Sequence, residues 1–410
     1  MTMMLEAVAV RATERLKIRF PSLDSFWAAQ AAETAGLPTA VLNPERRQIS
    51  VPVPQHELKQ ETFEGSLKLL AEKYGAEVVP DHRFDMEDAA DIFDPEAFGP
   101  DFPDSPSLPD VLEMIGARDA WATTRGRDVT IAIVDTGING NRAEIAPSRR
   151  SAYGWAPEGE SAWEDYRGHG TMCATIAAGS TSDGGEFDGV APEAKVMACR
   201  TYFYDTELTA IYQLLRDRAL DGEVIVASNS FGMKSGTPPP PADVDFLDAM
   251  REAIEAGVFV VFSAGNYHEL TGGGANDCAP TSVWGHKCRE DVLSVATCKL
   301  DRTMWGYSSR GPGEFDGTAG HRRKPDVTAP TPQNGRIVYG DSIVTMPIGW
   351  GTSGACPQVA GLAALLRSRK PAASRQALQD AIRNTADPLS VAYECCGNGV
   401  IACDRALAVI

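Results

Sequence analysis

The sequence predicts an α/β protein: a doubly wound, mainly parallel sheet preceded by a small α+β module of βαββαβ order. Three observations carry this. From Val111 onward, short apolar strand runs alternate with helices, the pattern of a parallel sheet covered on both faces. Residues 14–86 hold a compact strand-helix-strand-strand-helix-strand unit. Residues 85–110 carry nine acids, no base and five prolines, a composition that cannot bury a core and reads as an extended, self-repelling linker. The chain therefore divides into an N-terminal tail (1–13), the small module (14–86), an acidic Pro-rich linker (87–110) and one large domain (111–410).

The elements follow in order. Arg15-Leu16-Lys17-Ile18-Arg19-Phe20 alternates as a strand does. Pro21-Ser22 opens an Ala-rich helix, Leu23 to Ala35, which Gly36 closes. Ala40 to Leu42 and Gln48 to Val53 flank Asn43-Pro44-Glu45-Arg46-Arg47, which predicts a hairpin. Glu61 to Tyr74 sets Phe63, Leu67, Leu70 and Tyr74 on one helical face, with Gly75 as the C-terminal cap. Ala76 to Phe84 is the last strand, and the whole order is the ferredoxin-like one. In the large domain, strands are expected at Val129 to Val134, Lys195 to Cys199, Val224 to Ala227, Val258 to Phe262 and Val292 to Ala296. Helices are expected at His169 to Ala178, Glu207 to Ala219, Asp243 to Ala256 and after Ser353.

Composition excludes several functions. The 410 residues carry 38 Lys+Arg against 56 Asp+Glu, a net charge of −18. Such a chain has no broad basic face for nucleic acid and no attraction to anionic lipid. Nine of the acids sit in residues 85–110, so the acidity belongs largely to one stretch and says little about substrate. The first 20 residues are interrupted by charges, which leaves no apolar core for an export signal. No window approaches the ~18 apolar residues of a membrane span. A cytoplasmic protein without membrane contact is the expectation. Nine cysteines then read mostly as buried thiols. Cys395-Cys396 with Cys403, and Cys278 with Cys288, are the groups able to bond or hold metal, although no CxxC is present and no metal site is assigned.

Three motifs carry chemistry. Ile131-Ala132-Ile133-Val134-Asp135-Thr136-Gly137 ends a buried strand on an acid, where α/β proteins build sites. Alone, Asp-Thr-Gly is also a plain turn. Gly168-His169-Gly170-Thr171 opens a helix on an imidazole freed of neighbouring bulk. Gly351-Thr352-Ser353-Gly354-Ala355-Cys356-Pro357 puts Ser353 at a helix N-terminus, where backbone N–H groups favour developing negative charge. A serine there is more commonly an N-cap, and Pro357 is expected in the first turn or just after it. Together they supply a nucleophile, a base and an acid to orient the base. A fourth element, Phe262-Ser263-Ala264-Gly265-Asn266, offers the Asn266 amide to an oxyanion, with the Ser353 N–H as second donor.

The order Asp, His, Ser is that of subtilisin, and the sequence resembles the subtilisin-like serine peptidases from about Val111 to Ala364. Gly189-Val190-Ala191-Pro192, Ser228-Asn229-Ser230-Phe231-Gly232, Ser308-Ser309-Arg310-Gly311-Pro312 and Lys324-Pro325-Asp326-Val327-Thr328-Ala329-Pro330 extend the match. Cys173 resembles the free thiol of the proteinase K branch. Two positions depart from the family: Gly354 stands where Met follows the serine in most relatives, and Met172 replaces a polar residue or His.

The resemblance implies a subtilisin-like fold and peptide-bond hydrolysis through an acyl-enzyme. Asp135, His169 and Ser353 would be catalytic, Asn266 the oxyanion donor, and Ser230, Phe231 and Gly232 the strand that binds protein or peptide substrate. It also gives the module a meaning as an inhibitory, chaperone-like propeptide, with Glu77-Val78-Val79-Pro80-Asp81-His82 as its typical ending and self-cleavage near Met86 or Glu87. The module would then be an intramolecular inhibitor, in a zymogen or in a complex that outlives cleavage. An unrelated binding module is the alternative for residues 14–86, and a catalytically silent binding protein is the alternative for the chain. The chemistry needs no cofactor. Structural calcium is implied at Ser180 to Asp188, through Asp183, Glu186 and Asp188; a solvated acidic loop is the plainer reading.

Overall fold

The computed structural model describes residues 14–30, 40–53, 57–86, 99–232, 245–313 and 323–410. In the module, β1 (Arg15–Arg19), α1 (Leu23–Ala29), β2 (Val41–Asn43), β3 (Gln48–Pro52), α2 (Glu57–Tyr74) and β4 (Glu77–Pro80) follow in the expected order. The sheet is antiparallel, ordered β2-β3-β1-β4, and buries Ile18, Phe20, Phe26, Ile49, Val51 and Leu67. Ser22 caps α1 by accepting the Ser25 N–H. The expected continuation of α1 to Ala35 lies outside the described residues. Helix α2 begins at Glu57 rather than Glu61.

Strand β4 stops at Pro80 and does not run on to Phe84. Beyond it the chain turns onto the large domain. Phe84 N donates to Phe203 O at 2.8 Å, and β5 (Asp85–Met86) pairs antiparallel with β9 (Phe231–Gly232). The acidic segment also departs from a free linker where it is described. Gly99 bridges Thr345, and Asp101 pairs with Arg336 at 2.5 Å. Helix α3 (Leu108–Met114) starts inside it, with Leu108, Val111 and Leu112 buried. The segment is too acidic to build a core of its own, but Leu108 near its end joins the core of the domain that follows.

After α4 (Ala117–Ala120) comes a six-stranded sheet of order β12-β11-β10-β8-β6-β7. Every neighbouring pair is parallel. Its strands are β6 (Thr130–Asp135), β7 (Lys195–Arg200), β8 (Ile225–Asn229), β10 (Phe259–Ser263), β11 (Leu293–Cys298) and β12 (Val327–Pro330). Helices α5 (His169–Ala178) and α8 (Gly351–Arg369) pack on one face, and α6 (Asp205–Leu220) and α7 (Phe246–Glu255) on the other. The doubly wound expectation is borne out. Hairpin β13 (Gly335–Tyr339) and β14 (Ser342–Met346) precedes α8; α9 (Arg375–Asn384), α10 (Tyr393–Cys396) and α11 (Cys403–Val409) complete the domain. No described helix is long and apolar enough to cross a membrane.

The cysteine pairing differs from expectation. Cys278 bonds Cys395, 117 residues away, whereas Cys288 is a buried free thiol directed at Val283 O. Sequence proximity suggested the wrong partner, because α10 returns to the loop that holds Cys278.

The module's open sheet face rests on the N-termini of α6 and α7. Lys17 is fully buried there, with Nζ 2.5 Å from Asp205 and 2.9 Å from Asp245. Arg19 and Gln48 also reach Asp245 at 2.8 Å, and Arg46 reaches Glu252 at 2.8 Å. Asp81 accepts the Thr206 N–H at 3.1 Å, which satisfies an orphan donor of α6. Burial pushes the Asp205 carboxyl up to about 6, against the pull of Lys17.

Candidate active site

The parallel sheet delivers Asp135 at the carboxyl end of β6, 1% exposed. His169 is the first residue of α5, and its Nδ1 lies 2.7 Å from Asp135 Oδ1. The close approach depends on Gly170, where a Cβ would sit 2.1 Å from Gly137 O and 3.1 Å from Asp135 Cβ. Glycine beside the histidine thus lets α5 touch the strand end, a different reason from room around the imidazole. His169 Nε2 is buried and has no hydrogen-bond partner among the described residues. Burial works against the imidazolium, but the Asp135 carboxylate and the Cys173 sulfur together hold the pKa well above the ordinary histidine value.

Ser353 is the third residue of α8, behind the N-cap Trp350. Pro357 therefore falls in the second turn, four residues on. It has no N–H for the Ser353 carbonyl. Ser230 Oγ at 3.3 Å and Cys173 Sγ at 3.6 Å donate to that oxygen instead. Cys173 lies one turn after His169, with Sγ 3.9 Å from Nδ1. Burial pushes its thiol up to about 11, so Cys173 stays protonated and is no competing nucleophile. The thiol thus sits between the His169 ring and the Ser353 backbone.

Asn266 follows β10. Its Oδ1 accepts Thr352 N and Thr352 Oγ1, both at 2.9 Å. The amide is thereby oriented, and its NH2 is the group of the right kind to donate to a developing oxyanion. Gly354, the family departure, has a local cause. A Cβ there would meet Trp350 Cβ at 2.5 Å, and Trp350 fills the space beneath the helix start as the largest fully buried side chain.

Ser230, Phe231 and Gly232 are all buried. Phe231 joins an aromatic cluster with Phe84 (6.1 Å), Phe203 (5.4 Å) and Phe262 (5.4 Å). The cluster encloses His286, whose ring centroid lies 4.6 Å from Phe262. Both His286 nitrogens are buried without hydrogen-bond partners among the described residues. Burial lowers its pKa to about 3, which keeps it neutral. Nothing in the local sequence signals this histidine. Asp165 was missed as well; the spacing Asp165 to Gly168, just before a helix, was a capping signal that could have found it.

The expected calcium loop does not fit a cation. Asp183 is held by Arg149 at 2.5 Å, Glu186 by Arg336 at 3.0 Å, and Asp188 accepts from Thr181 N at 2.9 Å. Each carboxylate is already engaged by a donor. Among the described residues the one close grouping of metal-capable side chains is Asp135, His169 and Cys173, the site already described.

A family model described as the subtilase family (peptidase S8) matches residues 126–399. The chain belongs to the subtilase family. Thermitase of Thermoactinomyces vulgaris is 30% identical over 287 residues, covering 68% of this subtilase and 88% of its own length. The intracellular serine protease of Paenibacillus polymyxa is 28% identical over 270 residues, covering 63% of this chain and 73% of its own. The crystal structure of fervidolysin from Fervidobacterium pennivorans, a keratinolytic enzyme related to subtilisin, superimposes with a TM-score of 0.61. That match covers 97% of the subtilase and 61% of fervidolysin at 21% identity, a likeness of fold. The chain is a serine-type peptidase by family.

Proposed function

We propose that this subtilase is a serine endopeptidase acting on protein or peptide substrates, restrained by its own N-terminal module. The observation that carries the catalytic reading is the buried 2.7 Å contact of His169 Nδ1 with Asp135, which leaves Nε2 for the serine proton. Ser353 Oγ attacks the scissile carbonyl as His169 Nε2 takes its proton. Asp135 holds the tautomer and stabilises the imidazolium. The oxyanion lies against the Asn266 NH2 and the Ser353 N–H. The imidazolium then protonates the leaving amine, and water, deprotonated by the same nitrogen, releases the acid. Phe231-Gly232 pairs with extended substrate as an added strand.

What supports the restraint is the pairing of Asp85–Met86 with that same strand. A peptide in the module's place would take the same hydrogen bonds, so module and substrate compete. With residues 85–86 in the cleft, the junction near Met86 or Glu87 is the proposed cutting point. The pairing of Asp183 with Arg149 and of Glu186 with Arg336 supports a 180–188 loop that folds without calcium. The cytoplasmic expectation is opposed by the Cys278–Cys395 bond, since disulfides persist in oxidising compartments.

The test pairs fluorophosphonate labelling and casein hydrolysis with intact mass. The purified chain should be labelled at Ser353, and Ser353→Ala should be unlabelled, inactive and uncut near residue 86. A processed chain with Ser353 intact that neither labels nor cleaves sinks the peptidase reading. Full activity with the junction uncut sinks the restraint.

A further inference from the structure

Asp165 stands outside the triad, on the loop that leads into α5. Its half-buried carboxylate accepts five hydrogen bonds. Oδ1 takes Arg167 N at 3.0 Å, Gly168 N at 2.7 Å and Thr136 Oγ1 at 2.7 Å. Oδ2 takes Thr171 N at 2.8 Å and Thr171 Oγ1 at 2.6 Å. One side chain therefore binds both flanks of His169 and the residue next to Asp135.

The second half of the network runs through Thr136, which is fully buried. Its N–H donates to Asp135 Oδ1 at 2.8 Å. Its hydroxyl donates to Asp165 and accepts Gly170 N at 3.0 Å. Asp135 Oδ1 is the same oxygen that meets His169 Nδ1. A closed circuit results: Asp135, Thr136, Asp165, the His169 turn, and back to Asp135. An end of a strand and an end of a helix are joined by a charged acceptor rather than by packing alone. Charge-assisted bonds of this kind are roughly twice as strong as neutral ones, and the carboxylate also faces the positive end of α5.

We propose that Asp165 is a positioning residue for the Asp135–His169 pair, acting through Thr136 and the α5 entry turn. The proposal rests on the Asp135–His169–Ser353 reading. Asp165 touches no reacting atom; it fixes the angle at which the imidazole meets its carboxylate. A small misplacement of a catalytic group can cost up to about 100-fold in rate.

The experiment compares the full chain with Asp165→Ala, Asp165→Asn and Thr136→Val, and with the Asp165→Ala/Thr136→Val double variant. Fluorophosphonate titration counts active sites first, so unfolded protein drops out of the comparison. Asp165→Asn keeps the shape but turns one acceptor into a donor facing Thr171 N–H or Gly168 N–H. Expected are a fall in kcat per titrated site of about 10- to 100-fold, a change in KM below about threefold, and an acid limb of kcat/KM moved to lower pH. The limb moves because Asp135 and Cys173 are the titratable groups facing His169, and a looser Asp135 raises its pKa less. The double variant should be no worse than Asp165→Ala, because both cut one circuit. Variants that fold, label fully, keep kcat within twofold and leave the acid limb in place overturn the proposal. If Asp165→Ala does not fold, Asp165→Asn and Thr136→Val decide by the same criteria. Failure of the wild type to label at Ser353 would instead overturn the triad reading.

Discussion

Pro357 strips the carbonyl of Ser353 of its helical hydrogen bond, and Ser230 Oγ supplies a donor in its place at 3.3 Å. The segment proposed to bind substrate is thereby tied to the backbone of the proposed nucleophile. Ser230→Ala leaves that buried oxygen to the weak Cys173 thiol alone. An under-satisfied buried acceptor costs about 1–3 kcal/mol. Expected is a fall in kcat of about tenfold or more at little changed KM, read by steady-state kinetics on a peptide ester. Unchanged kcat would show that the carbonyl's partner is immaterial.

The histidine pKa gives a pH dependence. His169 must be neutral to accept the serine proton, and its pKa is raised by Asp135. Activity is therefore lost as pH falls through a value above the ordinary ~6.5. The stabilising ion pair has the opposite sense: it is fully present below that ordinary value and fades as pH rises through the raised one. Asp135→Asn removes the attraction and leaves burial, so the acid limb should move to lower pH while kcat drops by about 10⁴. A kcat/KM profile measured from pH 5 to 10 checks both.

Lys17 is buried against Asp205 and Asp245. Lys17→Met leaves the buried Asp205 facing an apolar chain, while Asp245 keeps Arg19 and Gln48. Breaking a buried pair at one partner costs about 3–5 kcal/mol. In a Ser353→Ala background, which holds the junction intact, the melting transition should fall. Limited proteolysis should cut the module earlier than in the parent.

Thiol counting tests the cysteine pairing. With Cys278 bonded to Cys395, a denatured sample prepared without reductant should titrate seven thiols, the free set in the structure. Nine would mean both are reduced. Reduction of the bond should loosen the loop after Asn266 and raise KM more than it lowers kcat.

The residues of the proposed triad stood out because they sit at places that topology enforces: Asp135 at a strand end, His169 and Ser353 at helix starts. The doubly wound sheet was legible from its apolar runs. What the sequence hid depends on docking. Arg15-Leu16-Lys17-Ile18-Arg19 alternates like a strand with one wet face, yet that face meets α6 and α7, and Lys17 is fully buried. Cys278 and Cys395 are 117 residues apart, beyond any local pattern. Leu108 reads as part of an acidic, Pro-rich linker because its core belongs to the following domain. Asp165 carries only the weak signal of an acid shortly before a helix, because the five groups that donate to it are mostly backbone N–H.

Phe84 belongs to the same buried cluster as Phe203, Phe231, Phe246 and Phe262. It is a core residue of the peptidase domain that arrives on the far side of the proposed cut. Maturation would therefore be an act of disassembly. The domain would open its cleft by surrendering one ring of its interior. Without that ring the cluster around the neutral His286 would lose packing, so the freed domain should be less stable than the guarded one.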